Sequence, residues 1–256
     1  MERHLAHLTW QQVAALDKDP GVVILPIGAV EQHGHHLPLI TDTLIASRTL
    51  EQAFNYLADD VPAWALPTMP FGKSNEHQGY PGTVMLSAAS LMGVVRDVAL
   101  SMQAAGFKRL LLLNAHGGNK ALLEMQARDL RAELGLLCFV ASPSPLSAEE
   151  YATLPEAEQR WGIHAGTVET ALVMAMLPSC VHREGAKAHY PDFPSETLNL
   201  TSQPQVAWLS RDWSPIGHFG DPQAATPEQG QRWLEQAGKT LAALIGEIAS
   251  FEVAHP

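Results

Sequence analysis

Val22-Val23-Ile24-Leu25-Pro26-Ile27-Gly28 is an apolar run that stops at a glycine, and shortly after it the chain reads Glu31-Gln32-His33-Gly34-His35-His36-Leu37-Pro38-Leu39-Ile40-Thr41-Asp42. A run that is apolar at successive positions fits a strand covered on both faces, as in a parallel sheet. A burst of histidine and carboxylate at its end has no use in packing. Imidazole nitrogen and carboxylate oxygen are the donors a borderline divalent cation selects. Open α/β sheets hold their ligands at the carboxyl ends of strands, so position and chemistry agree.

The pattern repeats outward from this stretch. Helical spacing over Thr43–Tyr56, with Thr41 or Asp42 placed to cap it, predicts a helix. Ala63–Pro67 reads as a second strand, Thr83–Leu86 as a further short one, and Ser87–Ala105 as a helix. Arg109–Leu113 is another apolar strand and ends in Asn114-Ala115-His116-Gly117-Gly118-Asn119. A helix over Lys120–Leu134 and a strand over Leu136–Ala141 follow. Alternating strands and helices at this spacing predict βαβ units and a mostly parallel sheet. Ser142–Gln159, rich in Pro and Glu, and Val181–Arg211, rich in Pro, Ser and His, break the pattern. Helices are predicted again over Thr167–Met176 and Pro227–Ser250, the latter burying Leu234, Ala237, Leu241, Leu244 and Ile248.

Composition bounds the function. With 256 residues, 46% of them hydrophobic, and no repeat or low-complexity linker, the chain reads as a single α/β domain over residues 1–256. A formal net charge of -11 argues against a nucleic-acid partner, which needs a basic face. No stretch approaches the ~18 consecutive apolar residues of a membrane span, and the N-terminus lacks the apolar segment of a signal peptide. Cys138 and Cys180 alone make no disulfide framework. The expectation is a cytoplasmic enzyme, and twelve histidines point to metal.

Four clusters carry the candidate chemistry. Glu31 and His33, two apart in extended chain, point to the same side. Asp42 follows a Leu-Pro-Leu turn, and its two oxygens suit it to bridge two ions; its plain alternative is a helix cap. His116 ends a second strand, where Gly117 and Gly118 let a ligand approach the backbone. A phosphate on that turn is the weaker alternative, because the remaining P-loop residues are missing. His164 precedes a helix carrying Glu169, a carboxylate beside the apolar run Ala171–Met176 that must be paired if it faces inward. The loop Gly72–Thr83 offers Ser74, Glu76 and His77 to a pocket. One of His35 and His36 reads as structural; His4, His7, His182, His189 and His255 read as surface or loop residues, and His218 as part of a turn.

Glu31-Gln32-His33-Gly34 with His36-Leu37-Pro38-Leu39 and Asp42, Gly72-Lys73-Ser74 with His77 and Pro81-Gly82-Thr83, Asn114–Asn119, His164-Ala165-Gly166 with Glu169-Thr170, and Gly220-Asp221-Pro222 together resemble the creatininase (creatinine amidohydrolase) family. The resemblance runs in order from about residue 8 to residue 250. It implies a three-layer α/β/α sandwich, a dinuclear metal centre, hydrolysis of cyclic or formyl amides, and often a homohexamer. By resemblance Glu31, Asp42 and His116 hold one ion, and His33 with bridging Asp42 the other. Creatininase has a Glu where this chain has Gly118, and Glu169 is the natural replacement; Ile163 stands where it has an acidic residue. Deformylases and peptide-trimming relatives in cofactor biosynthesis are similar in this respect.

The reading that follows is a metal-dependent amidohydrolase acting on a small-molecule amide, with two divalent ions per subunit (zinc, manganese or iron) activating water. His164 is the catalytic candidate, to stabilise the tetrahedral intermediate or protonate the leaving nitrogen. Ser74, His77, Gly117 and Trp161 are the substrate-binding candidates. The alternatives are peptide trimming, a sugar-derivative isomerase or lyase, and a non-catalytic scaffold.

Overall fold

The computed structural model describes residues 1–253. Strands β1 (Val22–Ile27), β2 (Ala63–Ala65), β3 (Arg109–Asn114) and β4 (Leu137–Ala141) form one parallel sheet in the order β2-β1-β3-β4. The helices are α1 (Trp10–Ala14), α2 (Thr41–Phe54), α3 (Ala88–Ala104), α4 (Lys120–Leu134), α5 (Ala148–Thr153), α6 (Glu156–Trp161), α7 (Thr167–Met176), α8 (Ser210–Trp213) and α9 (Pro227–Ser250).

Every residue of β1 and β3 is buried, as their unbroken apolarity demands. Alternate side chains go to opposite faces. Val23, Leu25, Ile27, Leu110 and Leu112 meet α3 and α4 through Leu91, Val95, Leu123 and Leu130. Val22, Ile24, Leu111 and Leu113 meet α2 and α9 through Leu50, Ala53, Leu241 and Ile245. Each such side chain contributes about 1.5–3 kcal/mol of burial. The result is the three-layer α/β/α arrangement. Helix α7 joins the second layer, packing Ala171, Leu172 and Met174 with Ile45 of α2 and Trp233 of α9.

The strand order fixes where a site can form. From β1 the chain crosses to β2 on one side; from β3 it crosses to β4 on the other. The connections therefore diverge between β1 and β3 and leave a crevice at their carboxyl ends. Ile27 pairs with Asn114, so the segments bearing Glu31 and His116 emerge side by side.

Three expectations are corrected. Thr83–Leu86 is not a strand: Val84 and Met85 make only isolated bridges, to Val30 and Gly72, with no continuous neighbour to ladder against. Neither Thr41 nor Asp42 caps α2; Ile40 holds that position, and the Thr41 hydroxyl donates to Pro38 O at 2.7 Å. The segment 142–159 contains most of two six-residue helices, α5 and α6, too short to show a periodicity. The stretch 181–211 is largely irregular, as expected. No described helix is long and apolar enough to cross a membrane. His255 lies outside the described residues.

Gly28 couples sheet to site, because a Cβ there would come within 2.5 Å of the Thr43 backbone, one residue from Asp42. Gly28→Ala is expected to destabilise the fold by about 1–3 kcal/mol through overpacking. Urea unfolding measures this, and a midpoint equal to wild type would show that α2 moves aside freely.

Candidate metal centre

Five separated segments deliver side chains to the crevice. The turn after β1 gives Glu31 and His33, the first turn of α2 gives Asp42, and the turn after β3 gives His116. A 3₁₀ turn at Asn75–His77 brings Glu76 and His77, and the entry to α7 brings His164 and Glu169. Glu31, Asp42 and His116 offer three ligand atoms within 4.8 Å of one another, and so do His33, His164 and Glu169. A third such group is Glu31, His77 and His164. Asp42 touches both sides: Oδ1 lies 3.2 Å from His33 Nε2 and Oδ2 lies 3.1 Å from His116 Nδ1.

The hydrogen bonds reveal what this cluster requires. His33 Nδ1 lies 3.0 Å from Glu31 O, an acceptor, so its proton is on Nδ1 and Nε2 faces Asp42 Oδ1 and Glu169 Oε2 at 3.2 and 3.9 Å. His116 repeats the arrangement. Its Nε2–H donates to Lys73 O at 3.2 Å, which turns Nδ1 to Asp42 Oδ2 and to Glu31 Oε2, the latter at 3.3 Å. Each ring thus directs a lone pair at carboxylates, an arrangement that only a cation or a second proton relieves. In the ion-free protein a proton serves. Burial alone would lower both imidazoles, but Asp42 with Glu169 and Glu31 raises His33 to about 9, and Glu31, Asp42 and Glu76 hold His116 well above its usual value.

The carboxylates give the same answer. Glu31 and Asp42 are 1% and 2% exposed, yet both Glu31 oxygens and Asp42 Oδ2 have no well-aligned hydrogen-bond donor among the described residues. They lie beside imidazole nitrogens but off the N–H direction, converging on shared points as ligands do. A buried carboxylate without donors is costly. The donor set of nitrogen and oxygen fits divalent ions on each side of Asp42.

Around this cluster other groups are tied down. His164 Nε2 donates to Gln32 O at 2.8 Å, leaving Nδ1 facing Glu31 Oε1 at 3.8 Å. Burial and the neighbouring His33 and His77 lower its pKa well below the usual value, so the ring is neutral. Ala165 beside it has φ of 52°, a costly left-handed conformation for a residue with a Cβ. Its N–H donates to Glu169 Oε2 at 2.5 Å and its carbonyl accepts from His36 Nε2 at 3.0 Å, which hold that turn in place. His36 is the structural histidine, lowered to about 4 by burial and by His218. His218 hydrogen-bonds Lys187 O and packs on His36, away from the cluster.

The substrate-side candidates separate. A cavity of about 350 Å³ opens beside His116 and Glu169, with Gly117 in its lining and Ile45, Leu146, Ile163 and Leu172 as apolar walls. Ser74 and His77 are not in its wall; Ser74 Oγ is 3.4 Å from His116 Nε2, and His77 Nε2 is 3.1 Å from Glu31 Oε1. Trp161 is not in the cavity lining; its ring packs at a tilt against Phe193, with centroids 5.5 Å apart, and lies under Arg160.

Three participants carried no role in the sequence reading. Gln32 Nε2 donates to His77 Nδ1 and Gly217 O, and Ser210 Oγ lies 2.9 Å from the same His77 nitrogen. Glu158, in a segment that reads as a surface excursion, is 3% exposed and accepts from Thr167 N, Asp221 N and Tyr190 OH. It clamps α6 to the start of α7. Gln32 sits inside the quoted motif and was findable there; nothing local distinguishes Glu158 from the other acids of its segment.

The family model for creatininase (creatinine amidohydrolase) matches residues 6–245. The chain belongs to the creatininase family. It is a metal-dependent hydrolase of that family, acting on carbon–nitrogen bonds, with the α/β fold its sequence predicts. It is 32% identical to a mycofactocin precursor peptide peptidase of Mycobacterium ulcerans over 82% of this chain and 78% of the relative. It is 30% identical to creatinine amidohydrolase of Pseudomonas putida over 73% and 76%. A Bacteroides fragilis structure assigned by name to creatinine amidohydrolase superposes with a TM-score of 0.79 at 29% identity, covering 99% of both chains. Among solved creatininases, a Zn–Zn type shares 24% identity (TM-score 0.73) and a manganese one 25% (TM-score 0.69), each covering 96% of this chain and 98% of the other.

Because His33 is held protonated until an ion replaces the proton, loading the metal-free protein near about pH 7 is expected to release at least about one proton per site. Calorimetry in buffers of different ionisation enthalpy reads this directly; binding with no proton release would contradict the arrangement.

Proposed function

We propose that this chain hydrolyses the C–N bond of a small amide, cyclic or formyl, with water activated at a dinuclear centre. The observation that carries the reading is the pair of imidazoles that present lone pairs to buried, donor-poor carboxylates on both sides of Asp42. Glu31, Asp42 and His116 would hold one ion, and His33, Asp42 and Glu169 the other. Bound divalent ions supply an acidified water and a Lewis acid for the amide oxygen. Zinc, manganese and iron all suit the donor set, and the Zn–Zn and manganese relatives favour the first two.

The chain's own residues do the rest. His164 is neutral, with Nε2–H spent on Gln32 O, so Nδ1 is free to take a proton and pass it to the leaving nitrogen. His77, held by Gln32 and Ser210, sets its Nε2 3.1 Å from Glu31 Oε1 without a hydrogen bond between them, and so adds a further imidazole nitrogen to the Glu31 side of the cluster. The cavity bounds the substrate: about 350 Å³ is near the lower end for ligand pockets, and its apolar walls suit a compact hydrocarbon group next to the amide. Asn114, Lys120, Ser142 and Tyr151 add polar side chains to its lining. We read the unit as cytoplasmic and as one domain; a hexamer is the assembly the family resemblance implies.

Peptide trimming is the second reading, favoured by the same apolar wall, which would accept an apolar terminal side chain, and by the similarity to the mycofactocin precursor peptide peptidase. A panel of lactams, cyclic ureas, formamides and short peptides with apolar ends, assayed on metal-reconstituted protein, separates the two. Turnover confined to peptides would replace the first reading with the second.

His164→Ala is expected to lower kcat by about 10²–10⁴-fold with metal content unchanged. Glu31→Gln is expected to lose metal. Steady-state kinetics and metal analysis on the same preparations check both, and a His164→Ala enzyme with full kcat would remove His164 from the chemistry.

A further inference from the structure

Gly118 stands in a space already taken. A Cβ on it would overlap Glu76 Oε1 and Lys73 O and approach His116 Nε2 to 2.5 Å. The carboxylate reaches this place from the loop after β2. Lys73 N donates to Asn119 Oδ1 at 2.8 Å, which ties that loop to the turn after β3. The 3₁₀ turn at Asn75–His77 then sends consecutive side chains to two parts of the cluster. His77 goes to Glu31, and Glu76 goes to His116, with Oε1 3.4 Å from Nε2.

Nε2 is the nitrogen turned away from the other carboxylates; Nδ1 faces Glu31 and Asp42. Its neighbours are Lys73 O at 3.2 Å, Ser74 Oγ at 3.4 Å and the Glu76 carboxylate, the only anion of the three. A carboxylate behind a ligating imidazole fixes the tautomer, sets the ring plane and makes the opposite nitrogen a stronger donor. Glu76 is mostly buried, with 17% of its side chain exposed, so water screens this contact weakly.

We infer that Glu76 is a positioning residue for the metal site, lodged in the room left by Gly118 and holding the His116 ring so that Nδ1 is presented to the ion shared with Glu31 and Asp42. The inference rests on the dinuclear reading above. It differs from the sequence-based expectation that Glu169 replaces the carboxylate missing at 118. Glu169 lies on the His33 side, 3.9 Å from Nε2 of that ring, whereas Glu76 lies behind His116.

The test is zinc affinity by chelator competition on wild type, Glu76→Gln and Glu31→Gln, with the melting temperature of each metal-free protein and the visible spectrum of each cobalt-loaded one. Glu76→Gln preserves shape and removes the charge. It is expected to weaken zinc about tenfold to a hundredfold and to shift the cobalt bands, while the metal-free protein still unfolds cooperatively, its melting temperature lowered only by the loss of the Glu76–His116 ion pair. Wild-type affinity in Glu76→Gln, while Glu31→Gln loses zinc, would overturn the role of Glu76 and leave the metal site standing. A metal-free Glu76→Gln protein that no longer unfolds cooperatively would make Glu76 a fold residue and also overturn the role. Wild type that binds no zinc, cobalt or manganese would take down the site and the inference together.

Discussion

Two buried histidines, each with one nitrogen committed to a backbone carbonyl, turn their other nitrogens onto Asp42. Everything else in the site follows from that constraint. A lone pair facing a carboxylate in a low-dielectric interior is repulsive, and the interior screens little of it. Without ions, the protein relieves it by protonating His33 and His116. In the proposed dinuclear centre, the same donors would be the ligands. The commitment of His33 Nδ1 to Glu31 O and of His116 Nε2 to Lys73 O makes the arrangement specific. Rings free to flip would find protein partners and lose the demand for metal.

That constraint also explains the surroundings. The donors come from five stretches of chain, so each must be held by neighbours rather than by its own element. Gln32 and Ser210 fix His77; Glu169 and His36 fix the strained turn at Ala165; Glu158 pins the entry to α7. These contacts cross from one loop to another over the carboxyl edge of the sheet. The layers beneath supply stability through ordinary burial, and their rigidity keeps the loop origins fixed. The family resemblance fits this division: the shared fold places the crevice, while segment 142–163 contributes walls to the cavity beside it.

The legibility of the chain varied with how local each signal was. Helices α7 and α9 and strands β1, β3 and β4 match their periodic patterns within a residue or so, because one buried stripe or one unbroken apolar run dictates each. Thr83–Leu86 misled because it is short, with Val84 and Met85 both exposed, and isolated bridges form there without a ladder. Residues Glu31, His33, Asp42, His116 and Glu169 were legible as donors with no packing role, and the structure brings them together. Trp161 lies against Phe193, a placement that closeness in sequence to His164 does not encode.

The sequence by itself determined the parallel α/β architecture, the family and the residues with metal-ligand chemistry, since hydrophobic period and donor type are properties of local segments. The tertiary structure decided which donors converge, which nitrogen of each imidazole faces the carboxylates, that Glu158 is an anchor and that Glu76 occupies the room beside Gly118. Those facts depend on distances between segments far apart in the chain. Only the packing of the β1–β3 crevice sets such distances, through close approaches such as Gly28 against Thr43 that no single stretch encodes.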